Sequence, residues 1–200
     1  MTDTPLRLVV LIGSHREGRF APTVSRWFLG QVEQYADFDV EVIDAAEVGL
    51  TAEGPSPTAS LPMLEAVGAL AARMEAADAF VVVTPEYNHS YPASLKSLID
   101  WHRTQWQAKP IGFVSYGGMS GGLRAVEHLR QVFAELHAVT VRDTVSFHLA
   151  WERFDEHGEA RDPEGHARAA KTMLDQLVWW ATTLRTARAE RPYVTQSTGV

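Results

Sequence analysis

From Leu6 to Ile12 the chain reads LRLVVLI, apolar at all but one position, and the run ends on Gly13. A strand written this way must be covered on both faces, and strands buried on both faces belong to parallel sheets wrapped by helices. The pattern returns along the chain. Ala79–Thr84 is another such run, stopped by Pro85, and Ile111–Ser115 another, followed by the glycine cluster 117–122. Phe38–Ile43 reads as a further strand, and Val139–Phe147 contains one more.

Helical patterns fill the intervals. Pro22 opens one in which Val24, Trp27, Phe28, Val32 and Tyr35 recur at three- and four-residue steps and so share a face. Leu64–Ala77 is rich in alanine. After Pro92, Leu95, Leu98, Ile99 and Trp101 or His102 form an apolar side, and Leu123, Val126, Leu129, Phe133 and Leu136 form another stripe. A long helix is predicted from Pro163 to Ala189, and an irregular loop from Asp44 to Pro62. Strands alternating with helices predict an α/β fold in three layers, a parallel sheet of about five strands with helices on both faces. Residues 1–192 read as one domain and 193–200 as a small, polar, flexible tail. Trp101, Trp179 and Trp180 are expected in the core or at a subunit interface.

At 200 residues the chain can bury a core without metal or disulfide, and it has no cysteine to build either a disulfide or a thiolate metal site. Its net charge of −7 argues against a surface made for nucleic acid or anionic lipid. The apolar runs are far too short to cross a membrane, and Met1–Pro5 lacks the basic and apolar regions of a signal peptide. A cytoplasmic protein with no nucleic-acid or membrane partner is expected. The 8 histidines show no metal-site spacing, Asp155–Asp162 lacks the alternating oxygen ligands of a calcium loop, and Ser14 lacks the elbow of a hydrolase nucleophile.

In open α/β sheets ligands bind beyond the carboxyl ends of the strands, and three such ends carry unusual sequence here. Gly13–Phe20 lies between a buried strand and a helix start, where free amides and the helix dipole favour an anion, and Ser14, Arg16 and Arg19 add donors suited to phosphate. Arg19 and Phe20 stand where a P-loop needs lysine and serine or threonine, and the G-x-G-x-x-G pattern is missing. A single phosphate therefore fits better than a nucleoside triphosphate or a pyrophosphate. Pro85–Ser90 brings Glu86, Tyr87 and Asn88 to the second end, as cover for a planar heterocycle or as an ordinary turn. Ser115–Gly122 supplies glycines that either let backbone approach a ligand or serve positive φ angles.

Together these three loops resemble the NADPH-dependent FMN reductase family of flavodoxin-like proteins. The resemblance rests on Gly13-Ser-His-Arg16, on Pro85-Glu-Tyr-Asn-His-Ser-Tyr-Pro92 with Leu95-Lys96 and Ile99-Asp-Trp101, and on Ser115-Tyr-Gly-Gly118. It covers most of residues 6–138. It implies a flavodoxin-like fold and an FMN with its phosphate at Ser14, Arg16 and the residues through Arg19 and Phe20 to Pro22. The isoalloxazine is then expected against Pro85, Glu86, Tyr87 and Asn88 and against Tyr116, Gly117 and Gly118, with Ser115 also among the cofactor-binding residues. Where many members carry a second serine and an asparagine, this chain has Arg19 and Ala21.

The function implied is FMN-dependent NAD(P)H oxidoreduction. Hydride passes from NADPH or NADH to the flavin and electrons pass on to a small acceptor, such as a quinone, an azo compound, a metal oxyanion or free flavin. Backbone amides of the glycine loop suit the charge that develops on the ring, and no side chain is assigned a catalytic role. The resemblance also implies a homodimer or homotetramer. The other readings are a flavodoxin-type electron carrier and a flavin-binding redox sensor without turnover.

Overall fold

The computed structural model describes residues 4–50 and 54–193. Its core is a parallel sheet in the order β2-β1-β3-β4-β5, formed by β1 (Leu6–Ile12), β2 (Phe38–Asp44), β3 (Ala79–Pro85), β4 (Pro110–Tyr116) and β5 (Val139–Thr140). A sixth segment, β6 (Val145–Phe147), pairs with β4 beyond β5. The helices are α1 (Ala21–Val32), α2 (Leu61–Glu75), α3 (Ala93–Asp100), α4 (Leu123–Glu135) and α5 (Pro163–Glu190).

The pleat explains the apolar runs. Leu6, Leu8, Val10 and Ile12 of β1 point into a core shared with α1 and α5, while Val9 and Leu11 point into a second core with α2, α3 and α4. In β3, Val81 and Val83 face the first core and Phe80 and Val82 the second. Alternate side chains of one strand thus serve opposite layers, and neither face can be polar. At the two sides of the sheet burial is less complete: β2 leaves Val40 and Val42 exposed at 37% and 38%, and β5 is partly buried.

The expected fifth strand is interrupted. Arg130 reaches over from α4 and donates through Nη1 to Val141 O (2.7 Å) and through Nη2 to Arg142 O (2.9 Å). With those carbonyls taken by a guanidinium, the chain leaves the ladder after Thr140 and rejoins it at Val145. Of the two places expected for Trp179, the core is excluded, since its side chain is 60% exposed on α5. Helix α1 begins at Ala21, one residue ahead of Pro22, and α2 begins at Leu61. Of the expected tail, Tyr193 is held by a 3.0 Å contact between its hydroxyl and His137 Nδ1; residues 194–200 lie outside the described residues. Among the described residues no helix is long and apolar enough to cross a membrane.

Candidate active site

The strand order reverses direction between β1 and β3, so the loops leaving these two strands run to opposite faces of the sheet and open a crevice between them. A cleft of about 360 Å³ lies there. The loop after β1 lines it with Arg16, Glu17, Gly18, Arg19 and Phe20, and the end of β3 with Pro85, Glu86 and Tyr87. Tyr116, Gly117 and Gly118 come from the end of β4, and Ala150 and Trp151 from the segment after β6. Nine of the residues expected at the site therefore meet in one cleft. The other four take different places.

Ser14 is fully buried, and its hydroxyl shares a 2.7 Å hydrogen bond with that of Tyr87. Pro22 sits on the far side of the loop, in a separate groove with Asp44. Ser115 is inside the protein, where Oγ donates to Gly121 O at 2.8 Å. Asn88 is exposed at the tip of a two-residue turn closed by Tyr87 and Ser90, with positive φ at both Asn88 (48°) and His89 (75°). Those angles are the ones a tight hairpin turn demands.

The two arginines of the first loop differ in kind. Arg19 donates through Nη1 to Asp44 Oδ1 (2.5 Å) and through Nη2 to Asp44 Oδ2 (2.6 Å), and also to Ser14 O. The Asp44 hydrogen bonds raise its pKa above even the usual arginine value, against the opposing effect of burial. Arg16 meets no carboxylate among the described residues, and its guanidinium lies 4.9 Å over the ring of Tyr87. Of the backbone amides from Ser14 to Arg19, only that of Arg19 finds a backbone acceptor among the described residues, at Arg16 O (3.2 Å). The loop thus presents a free cation and unpaired N–H groups ahead of the N-terminus of α1, a donor set that fits one phosphate.

Glu86 does not face the cleft with a free carboxylate. It accepts from Ser120 Oγ (2.6 Å), Arg124 N (3.2 Å) and Arg124 Nη1 (2.8 Å). Burial works to raise its pKa, but these bonds outweigh burial and hold the carboxyl below its ordinary 4.5. Its role is to tie the loop after β3 to the glycine loop. Within that loop Gly117 N donates to Phe147 O (3.2 Å), whereas the Gly118 amide has no backbone acceptor among the described residues. The donor available to a ligand is therefore Gly118. Gly121 and Gly122 carry the positive φ angles, 61° and 87°.

Tyr116 supplies a further test of fit. Tyr116 is 5% exposed, and its buried hydroxyl, close to those of Ser14 and Tyr87, makes no hydrogen bond of good geometry among the described residues. Burial pushes the phenol well above its ordinary range. A buried hydroxyl left unpaired is costly unless something at the site completes it. Together with the free loop amides and Arg16, it makes a donor set of the kind an FMN requires. Four cleft residues were not singled out from the sequence: Glu17 and Gly18, which lie inside the first loop, and Ala150 and Trp151, which lie in the segment after residue 139 that no motif marks.

The sequence profile of the NADPH-dependent FMN reductase family matches residues 6–152. The chain belongs to that family. A fission yeast (Schizosaccharomyces pombe) NAD(P)H-dependent FMN reductase is 35% identical over 123 residues, 58% of this chain and 60% of that protein. The chain thus aligns with about three fifths of that relative's length. An Escherichia coli quinone reductase is 36% identical over 142 residues, covering 68% of this chain and 73% of the relative. Among solved structures, the Paracoccus denitrificans flavoenzyme NAD(P)H:acceptor oxidoreductase superposes with a TM-score of 0.67 at 23% identity, over 89% of this chain and 98% of that one. A Pseudomonas aeruginosa flavodoxin superposes at 0.51, also at 23% identity, over 90% and 99% of the two chains. These likenesses establish the flavodoxin-like fold expected from the sequence.

Proposed function

We propose that this member of the family is an FMN-dependent NAD(P)H oxidoreductase acting on a small acceptor. The observation that carries the reading is the convergence of the first loop, the end of β3 and the glycine loop on one cleft at the β1/β3 crevice. Arg16 and the amides of residues 14–18 hold the phosphate. The backbone of Pro85–Tyr87 and of Gly117–Gly118 lines the ring, with the Gly118 amide as donor to its polar edge. The flavin, when bound, supplies the hydride-accepting and electron-transferring chemistry. The protein's share is to orient the reactants and shield them from water. No side chain of the cleft is assigned as acid or base, because Glu86 is already saturated with hydrogen bonds and Arg19 is paired. A carrier or sensor role is not favoured, since the relatives include reductases of FMN and of quinones.

Cytoplasmic location and a homodimer or homotetramer belong to the same reading. Self-association would cover apolar side chains such as Leu61 and Leu64 of α2, which are 76% and 46% exposed. The experiment that tests the function is FMN titration of the apoprotein by fluorescence quenching, followed by NADPH and NADH oxidation with a quinone. Saturable FMN binding and FMN-dependent turnover are expected. Turnover independent of FMN contradicts the reading.

A further inference from the structure

Trp151 is the most exposed aromatic side chain lining the cleft, at 61%. A large indole facing water sacrifices apolar burial, and on a mobile loop that exposure would mean little. Here the backbone is fastened. Leu149 takes a left-handed conformation (φ 50°), a strained choice for leucine, and turns the chain back onto the glycine loop. Its amide then donates to Gly118 O (2.9 Å), and that of Ala150 to Gly117 O (3.0 Å). The 3-10 turn that follows is closed by Glu152 N to Leu149 O (2.8 Å) and Arg153 N to Ala150 O (3.0 Å).

The fold therefore spends strain and hydrogen bonds to hold a solvent-exposed indole at the cleft. Its Cη2 stands 3.7 Å from where a Cβ on Gly118 would be, so the ring lies beside the backbone segment that carries the free amide. Met119, 88% exposed, extends the apolar surface of the same loop. An indole face gains by stacking on flat apolar rings and offers a small oxyanion only one N–H. We infer that Trp151 sets acceptor specificity, packing against a planar, uncharged aromatic acceptor held beside the glycine loop. The inference rests on the proposed function of the cleft and assigns one of its residues to the choice of acceptor.

The test uses the FMN-loaded protein and the variants Trp151→Ala and Trp151→Phe. Equilibrium dialysis of a naphthoquinone against the oxidised proteins gives Kd, and turnover with NADPH gives KM for naphthoquinone and for ferricyanide, an inorganic anion. In Trp151→Ala both naphthoquinone constants are expected to rise about tenfold, while Trp151→Phe stays within about twofold of the parent. The KM for ferricyanide and the affinity for FMN stay unchanged in both. Naphthoquinone affinity unmoved by Trp151→Ala, or an equal loss for the two acceptors, overturns the assignment. So does a fall in FMN affinity, which would give the indole to the cofactor instead. Failure of the parent protein to take up FMN contradicts the reading of the cleft itself, whereas full FMN loading with unmoved naphthoquinone affinity contradicts only the role of Trp151.

Discussion

Arg19 and Asp44 close on each other through two parallel hydrogen bonds of 2.5 and 2.6 Å, joining the loop after β1 to the last residue of β2. Both side chains are largely buried, at 17% and 11% exposure. The pair fixes the shape of the loop and leaves Arg16 as the arginine with a free charge. Asp44→Asn is expected to lower unfolding free energy by about 1–3 kcal/mol, since a largely buried guanidinium then loses its charged partner. Urea denaturation checks this.

Arg16→Ala has the opposite profile. FMN affinity falls by roughly 1.5–3 kcal/mol, the worth of a charge-assisted phosphate bond, while the urea midpoint stays put. Unchanged FMN affinity in this variant removes Arg16 from the phosphate site.

Glu86 makes acid stability a readout of the bridge between the two loops. Its folded carboxyl titrates below the ordinary 4.5 at which the unfolded chain takes up a proton. The stability it contributes is therefore complete above that value and lost as pH falls through the folded pKa. Glu86→Gln is expected to cost about 1–2 kcal/mol at neutral pH and to match the parent once the carboxyl is protonated. Denaturant unfolding followed from neutral pH down into the acid range measures the convergence.

Lys109 works at the other end of the pH scale. Its ammonium is buried and donates to Met74 O (2.9 Å) and Glu75 O (2.8 Å), capping α2. Burial lowers its pKa from 10.5 to about 8. Between these values the unfolded chain holds a proton that the folded chain has released, so stability rises with pH. Relative to Lys109→Met, the parent should gain about 1–2 kcal/mol from pH ~8 to ~9.5. Parallel stability curves for the two proteins would refute this.

Gly122 is needed by the backbone, not by a ligand. At φ 87° an added Cβ would stand 2.7 Å from Ser115 Cβ and 2.9 Å from Tyr116 N. Gly122→Ala is expected to cost at least about 2 kcal/mol of stability, whereas Gly118→Ala meets nothing closer than Trp151 at 3.7 Å and should leave the thermal midpoint in place. Thermal unfolding of the two variants separates the cases.

The layers of this fold are legible in the sequence because β1, β3 and β4 carry their two-sided burial as continuous apolar runs, with glycine or proline at the ends. The loops at those ends are legible for the same reason, and nine of the residues expected in the site line one cleft. What was not legible depends on groups remote in sequence. The break between β5 and β6 follows from Arg130, on another element. The pairing of Arg19 spans 25 residues, so a local reading sees only a cation beside a phosphate loop. Ser14 reads as a donor on that loop, but Tyr87, 73 residues on, covers it. Trp151 enters the cleft only because Leu149 turns left-handed, and leucine gives no sign of doing so.

The most direct test of the functional claim is anaerobic mixing of the FMN-loaded protein with one equivalent of NADPH, and separately of NADH, while the visible absorbance of oxidised flavin is followed. Rapid and complete loss of that absorbance with at least one of the two nucleotides is the predicted result. Flavin that stays bound and oxidised with both contradicts it.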